Sequence, residues 1–144
     1  MIARPPFVLA YPVRHEPAKE GGFIVNFPNF PEGWSQGDDR EEALVQATDL
    51  LETMVANYMV EGWDLPDPSP ARGRPLVRLA PLVAAKAELY RAMRRAGIDK
   101  AELARRCAER HQPLVQIHHK TRFEQIEAAL AALGRRLVVS VEPA

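Results

Sequence analysis

The sequence has almost no cysteine and no long apolar segment. Cys107 is the only cysteine among the 144 residues, so an intramolecular disulfide is excluded. No apolar run approaches the roughly 20 residues that a membrane-spanning helix needs, and the N-terminus lacks a basic region followed by an unbroken apolar stretch. We therefore expect a cytoplasmic protein without a membrane segment. The hydrophobic share of 47% is enough for one ordinary domain or two small ones.

Net charge is absent as well, because 19 basic residues balance 19 acidic ones. The two signs are nevertheless separated along the chain. Up to residue 65 there are 4 basic and 11 acidic residues, a net charge of −7, and 15 basic and 8 acidic residues follow, a net charge of +7. An acidic half followed by a basic half indicates two surfaces with different partners, and the basic half has the sign that nucleic acid requires.

The first part of the chain alternates β-forming segments with turn residues. Phe7–Val13 and Gly22–Phe27 are predicted strands, and the intervening residues 14–22 are predicted to form a hairpin loop. Trp34–Gly37 is a short third candidate. We expect the second strand to be interrupted before it by three residues that disfavour strands, Pro28, Pro31 and Gly33.

A long helix should follow this sheet. Asp39 and Glu42 have the spacing of a capping box, and apolar residues then recur every three or four positions until Gly62. Residues 65–75 are rich in proline and are expected to be extended, whereas Pro75–Ala80 is a strand candidate that returns to the first sheet. We therefore predict one domain of residues 1–80, which includes the proline-rich segment 65–75, and a second domain of residues 81–144.

The second domain is predicted to be mainly helical. Its helices are expected at Leu82–Ala96, Asp99–Arg110, a short piece from Gln112, and Thr121–Leu133. The boundaries rest on two further capping-box pairs, Asp99 with Glu102 and Thr121 with Glu124, and on the C-cap glycines Gly97 and Gly134. Arg136–Glu142 alternates like a strand and must pair with another strand or with its copy in a second protomer.

The stretch ELARRCAERHQPLVQIHHKTR, residues 102–122, holds the cysteine and three of the four histidines. Its spacing does not resemble the two close ligand pairs of a structural zinc site, and adjacent histidines on a helix point about 100° apart. Catalysis by Cys107 would require His111, four residues on, as its base. We expect no metal, no cofactor and no catalytic residue here, although a metal-dependent hydrolase that uses these histidines remains an alternative.

A helix-turn-helix accounts for the same stretch better than a solvated helical bundle does. Leu103, Ala104 and Cys107 would face inward on the first helix, and Pro113 would start the second. The outward side chains are of the types that bind phosphates and base edges. We predict DNA contacts by Arg110, His111, Gln112, Gln116, Lys120 and Arg122.

The order of these parts resembles HicB-type antitoxins of bacterial toxin–antitoxin pairs. The resemblance rests on EGGFIVNFPNFPEGWSQGDDREEAL (Glu20–Leu44), on the PDPSP segment, and on IDKAELARR followed by HHKTRFEQIEAALAALGRRL. It implies an α+β fold with a partly degraded ribonuclease H-like domain that covers a ribonuclease toxin called HicA. It further implies a C-terminal helix-turn-helix domain that represses the shared operon, and a homodimer or higher oligomer.

A working ribonuclease H site needs several carboxylates around Mg²⁺, typically including an acid in the first strand. Phe7–Val13 and Leu76–Ala80 contain no Asp or Glu, so we expect a protein that is not an enzyme. The acidic surface is instead interpreted as complementary to a basic toxin, with contacts by Trp34, Asp38, Asp39 and Glu41. The alternative function is a stand-alone helix-turn-helix transcription factor with a small ligand-sensing α+β domain.

Overall fold

The computed structural model describes residues 9–107, 120–141 and 143. The elements of this part of the chain are β1 Ala10–Pro12, β2 Arg14–Pro17, β3 Phe23–Phe27, β4 Phe30–Gly37, α1 Arg40–Glu61, β5 Leu76–Arg78, α2 Pro81–Arg95, α3 Lys100–Arg106 and α4 Phe123–Ala132. The predicted mixture of helices and antiparallel strands is confirmed. The described residues fall into two compact units, one of residues 9–58 with Leu65–Ala80, the other of Met59–Asp64 with the residues from Pro81 onward.

The strands of the first unit are all antiparallel to their neighbours. One sheet has the order β2-β3-β4, and β1 pairs with β5 in a second sheet. Val13 links β1 to β2, and its N–H donates to the Pro75 carbonyl over 3.0 Å. The prediction that the segment after the prolines returns to the first strand is confirmed, whereas Phe7 and Val8 lie outside the described residues.

Two expectations about the hairpins are wrong. Strand β2 occupies the first half of the predicted loop, and the turn begins only at Ala18, whose N–H donates to the Gly22 carbonyl. The second strand does end at Phe27, before Pro28, as expected, but the third strand is longer than Trp34–Gly37: β4 starts at Phe30 and runs through Pro31 and Gly33. Proline is tolerated there because β4 is the last strand of its sheet, where a missing N–H costs no ladder hydrogen bond.

Glycine is needed in β4 because helix α1 lies directly on it. A Cβ atom added to Gly33 would lie 2.6 Å from the Met54 Sδ atom. One added to Gly37 would lie 2.7 Å from the Ala43 Cα atom, so no side chain fits between strand and helix start. The face of the sheet that carries Val25 is thereby buried against α1.

Helix α1 begins as predicted. The Glu42 N–H donates to Asp39 Oδ1 over 2.7 Å, and Glu42 Oε2 accepts from the Asp38 N–H over 3.0 Å, one residue before the expected partner. The helix ends before Gly62, which has a φ of 75°. Its apolar stripe is core, as predicted, and four of its residues are completely buried: Ala43, Ala47, Leu51 and Val55.

Aromatic side chains complete the core of the first unit. Phe30 makes edge-on ring contacts with Tyr11 and Tyr58, each at a centroid distance of 5.0 Å. The Tyr58 hydroxyl donates to Glu32 Oε1 over 2.7 Å, and burial together with this carboxylate raises the pKa of Tyr58 to about 12. The Tyr11 hydroxyl donates to the Pro66 carbonyl over 2.8 Å. This bond holds the proline-rich segment, which is free of helix and strand as expected.

In the second unit, α4 packs against both α2 and α3. Helix α2 ends at Gly97 as predicted, and the Ile98 N–H returns to the Met93 carbonyl in a Schellman arrangement. Asp99 caps α3 by accepting from the Glu102 N–H over 2.8 Å. The prediction that α3 extends to Arg110 is wrong, because Cys107 leaves the helical conformation with ψ at 140°.

Helix α4 does not begin at the residue that the sequence predicted. Its N-terminal hydrogen bond joins the Arg122 N–H to Gln125 Oε1 over 2.8 Å, so Arg122 rather than Thr121 is the cap. Gly134, with a φ of 70°, ends the helix as predicted. The expected terminal strand is wrong for this chain alone: residues 135–141 pair with no described strand. An extended segment becomes a strand only when another strand accepts its backbone hydrogen bonds.

Candidate functional site

The three-stranded sheet has an outer face, which is the face turned away from α1. Because side chains alternate along a strand, Trp34 and Gln36 point outward where Gly33 points to the helix. The register places Asn26 opposite Trp34 and Ile24 opposite Gln36. Trp34 is 63% exposed and Ile24 is 36% exposed. The outer face therefore presents a large aromatic and an aliphatic side chain as diagonal cross-strand neighbours.

A cavity of about 730 Å³ opens where this face meets the start of α1. We call it the acidic cleft, and its lining residues are Pro17, Ala18, Lys19, Glu20, Gly21, Ile24, Gln36, Gly37, Asp38 and Glu42. Three carboxylates and one lysine give the lining a net charge of −2. The lining of the cleft thus combines the apolar side chain of Ile24 with a net negative charge.

Some of the acidic side chains around the cleft already accept hydrogen bonds from the protein itself. Asp39 and Glu42 accept the capping hydrogen bonds of α1. Asp38 and Glu41 are exposed, and neither carboxylate has a partner among the described residues. These two side chains retain their full capacity to accept hydrogen bonds from a cationic partner.

The four residues predicted to contact the toxin lie in one region of the structure. They differ in how they are placed there. Asp38 lines the cleft, and Trp34 lies two positions before Gln36 on the same face. Asp39 is used by the helix cap, and Glu41 lies in the first turn beside it. That contacts are made to a toxin stays a prediction, since no partner chain is present.

Sequence reasoning missed Ile24, Gln36 and Glu20 as members of this site. Ile24 and Gln36 become neighbours only through the β3–β4 register, which pairs Phe23–Asn26 with Trp34–Gly37. Glu20 comes from the hairpin turn. The sequence from Phe30 to Gly37 shows no apolar and polar alternation, so it contains no signal that would have placed Gln36 on the outer face.

The DNA-contact prediction falls mostly outside the described residues. Arg110, His111, Gln112 and Gln116 lie there, whereas Lys120 and Arg122 are described and exposed just before α4. The inward face predicted for α3 is partly present, because Leu103 and Cys107 are buried and Ala104 is half-buried. Contacts with DNA are not tested by this geometry and stay a prediction.

The side chains of α3 itself are engaged in local ion pairs. Glu102 contacts Arg105 over 2.6 Å and Arg106 over 3.0 Å. The two guanidinium groups, Arg105 first, lower the pKa of Glu102. Arg94 of α2 pairs in the same way with Asp64 over 2.8 Å, and this hydrogen bond raises the pKa of Arg94. These five charged side chains are therefore engaged with one another at the protein surface.

The metal alternative is tested only in part. Within residues 9–107, 120–141 and 143, no three His, Cys, Asp or Glu side chains lie close enough to hold an ion. Cys107 is buried and forms no disulfide, and three histidines of the cluster, His111, His118 and His119, lie outside these ranges. In the same described part, no helix has the length and apolar character needed to cross a membrane.

Comparisons with known proteins agree with the resemblance seen in the sequence. Residues 10–88 match the family described as HicB_like antitoxin of bacterial toxin-antitoxin system. Antitoxin HicB 1 of Photorhabdus laumondii subsp. laumondii is 35% identical over 137 residues, covering 93% of this chain and 88% of the relative.

Two further relatives support the same assignment. Antitoxin HicB of Escherichia coli is 35% identical over 133 residues, covering 90% of this chain and 96% of the relative. Antitoxin HicB of Pseudomonas fluorescens is 37% identical over 143 residues, covering 96% of each. The chain therefore belongs to the HicB-like family of antitoxins from bacterial toxin–antitoxin systems.

Proposed function

We propose that this chain neutralises a HicA-like ribonuclease toxin by laying the outer sheet face and the acidic cleft over the toxin's RNA-cutting site. The observation that carries the proposal is the combination of an exposed Trp34 with a cleft of net charge −2 beside it. A protein that cuts RNA must present a basic surface to the phosphate backbone. An acidic partner surface is complementary to that surface and competes with RNA for it.

Each part of this surface has a separate role in the proposal. Trp34 is the anchor, because a large aromatic side chain that becomes buried contributes most to a small interface. Asp38 and Glu41 accept hydrogen bonds from toxin lysines or arginines and speed association. Ile24 provides an apolar side chain in the cleft against which the aliphatic stem of such a basic side chain packs.

Co-expression with the toxin tests this proposal in cells. Trp34→Ala and the double variant Asp38→Asn with Glu41→Gln should each reduce rescue of growth and reduce the amount of toxin recovered with the antitoxin. Asp49→Asn is the matched control, because Asp49 is an exposed acid of α1 that lies outside the cleft. Full rescue by the cleft variants would reject the surface, and no complex with the wild-type chain would reject the antitoxin–toxin pairing.

We further propose that the chain is not an enzyme and that residues 1–80 form the partly degraded ribonuclease H-like domain. In support, β1 and β5 carry no acidic residue, and Glu32 of β4 is held by the Tyr58 hydroxyl. The exposed acids Asp38 and Glu41 lie at a helix start rather than inside the sheet. Incubation of the purified chain with RNA and Mg²⁺ tests the proposal, and cleavage that persists after further purification would contradict it.

For residues 81–144 we propose a helix-turn-helix domain that binds operator DNA as a homodimer and represses the antitoxin's own operon. Three packed helices, the exposed Lys120 and Arg122, and the +7 charge of the second half support this proposal. Lys120→Ala should weaken binding to all DNA sequences and flatten its salt dependence, whereas Gln112→Ala or Gln116→Ala should change sequence preference. Gel shifts at two salt concentrations measure both effects, and no shift by the wild type at low salt would reject DNA binding.

The C-terminal segment supports the dimer. Val138, Val139 and Val141 are 69%, 77% and 94% exposed, and the described residues offer this segment no strand partner. We propose that residues 136–142 pair with the same residues of a second protomer, which supplies partners for their backbone hydrogen-bonding groups. Sedimentation of the wild-type chain should give a dimer, and a chain shortened after Gly134 should be monomeric. A dimer of unchanged stability after shortening would place the interface elsewhere.

A further inference from the structure

The first unit contains a second cavity that the proposed function does not use. It has a volume of about 320 Å³ and is lined by Val13, Arg14, His15, Glu16, Arg40, Gly73, Arg74 and Pro75. It shares no lining residue with the acidic cleft. Three of its eight lining residues are arginines, so we call it the arginine cavity.

The three arginines come from separate segments that the fold brings together. Arg14 begins β2, Arg40 begins α1, and Arg74 precedes β5. The hydrogen bond from the Val13 N–H to the Pro75 carbonyl joins the first and third of these segments. The Arg74 N–H also donates to the Ala71 carbonyl over 2.9 Å, which closes the turn before β5. All three guanidinium groups thus project from backbone held by hydrogen bonds or regular structure.

The charge of the cavity is opposite to that of its surroundings. Residues 1–80 contain 7 basic and 12 acidic residues, a net charge of −5, yet three of the seven basic residues line this one cavity. Glu16 is the only acid in the lining. Among the described residues, Arg14, Arg40 and Arg74 have neither an ion pair nor a side-chain hydrogen bond. Like charges gathered at one place repel one another, so an anion that binds between these arginines would relieve the repulsion.

We propose that the arginine cavity binds the phosphate group of a small phosphorylated molecule. Guanidinium groups offer paired N–H donors that match phosphate oxygens, and several of them around one anion give a charge-assisted site. The volume lies at the lower end of the range for small-molecule sites, which suits a phosphate with a small attached group. A nucleic acid strand is disfavoured because its remaining phosphates would lie along a domain of net charge −5.

Calorimetric titration of the full-length protein in low-chloride buffer tests the proposal. The probes are inorganic phosphate, adenosine 5′-monophosphate, and a short RNA without a terminal phosphate. We expect one site for adenosine 5′-monophosphate, weaker binding of inorganic phosphate, and no binding of the RNA at this site. Arg40→Gln and Arg74→Gln should each weaken binding of the monophosphate at least about tenfold.

Arg72→Gln is the matched control, because Arg72 is an exposed arginine of the same turn that does not line the cavity. Amide chemical shifts of Val13 and Gly73 in the wild-type protein give a readout that needs no variant, and both should move on addition of the monophosphate. Absence of binding at millimolar monophosphate, or equal weakening by Arg72→Gln, would overturn the proposal. Binding of the RNA alone, abolished by Arg40→Gln, would overturn it in favour of a nucleic acid surface.

Discussion

Gly37 lies between the outer sheet face and the start of α1, and its replacement by alanine tests how the acidic cleft is built. The added Cβ atom would lie 2.7 Å from the Ala43 Cα atom and 2.8 Å from the Glu42 carbonyl carbon. These are backbone atoms of a helix, so no side-chain rotation relieves the overlap. The start of α1 must move away from β4, which disturbs the capping hydrogen bonds at Asp39 as well.

The expected loss of stability for Gly37→Ala combines two effects. Overpacking of a filled site costs about 1–3 kcal/mol, and a weakened helix cap costs about 1 kcal/mol. We therefore expect the free energy of unfolding of the first unit to fall by about 2–4 kcal/mol. Gly21→Ala is the control, because no atom lies within 4 Å of its added Cβ and only its φ of 99° opposes alanine. That change should cost about 1 kcal/mol.

Native-state hydrogen exchange measures how much Gly37→Ala and Gly21→Ala each reduce the stability of the first unit. The Val25 amide lies in β3, the central strand of the three-stranded sheet, so its opening free energy reports the stability of the first unit. Gly37→Ala should lower that free energy clearly more than Gly21→Ala does. Equal losses for the two variants would refute the reasoning, because they would show that helix α1 has room to accommodate a side chain at this position.

Three further predictions concern ionisable and capping groups. Because the pKa of Tyr58 is raised from its ordinary value of 10 to about 12, the folded state keeps this proton when the unfolded state has lost it. Stability should therefore fall as pH rises from 10 to 12, and Tyr58→Phe should make that fall smaller in urea titrations. Burial lowers the pKa of Lys86 from its ordinary value of 10.5, so stability should rise as pH increases from that lowered value toward 10.5, and Lys86→Met should flatten the rise. Asp39→Ala should cost about 1 kcal/mol of stability through loss of the helix cap. Thermal unfolding measures this loss, with Glu41→Ala as the comparison variant.

Local signals in the sequence predicted the helices well. Asp39 with Glu42 and Asp99 at α3 satisfy backbone N–H groups within a few residues, so their effect is independent of the rest of the fold. Gly97 and Gly134 end helices for an equally local reason, since each adopts a positive φ. Arg122 shows the limit of such signals, because Thr121 with Glu124 had an equally suitable spacing and did not form the cap.

The β-structure depended on contacts that the sequence does not display. Pro31 and Gly33 disfavour strands by propensity, but Pro31 lies in an edge strand and Gly33 is required by the approach of Met54. Tertiary packing therefore overrode propensity at both positions. In the terminal segment from Arg136, by contrast, the local pattern favours a strand but none forms. Its alternation is not sufficient to form a strand without a partner.

The candidate sites, too, depend partly on local signals in the sequence and partly on contacts between residues that are distant in the sequence. The acids Asp38 and Glu41 were predicted from charge alone, whereas Ile24 joined the cleft through strand register. The arginine cavity was not predicted at all, because Arg14, Arg40 and Arg74 are separated by more than 20 residues in each interval. No sequence periodicity links residues that meet only where a strand, a helix start and a turn converge.

Titration of the purified toxin against this antitoxin tests the central claim most directly. On an aromatic surface of roughly 150–250 Å², an exposed fraction of 63% at Trp34 leaves about 100–160 Å² to be buried, worth about 2–4 kcal/mol. Trp34→Ala should therefore raise Kd roughly 30- to 1,000-fold, and Asp38→Asn should mainly slow association at low salt. Asp49→Asn should leave both quantities unchanged. An unchanged Kd for Trp34→Ala, in a variant that remains folded, would contradict the account.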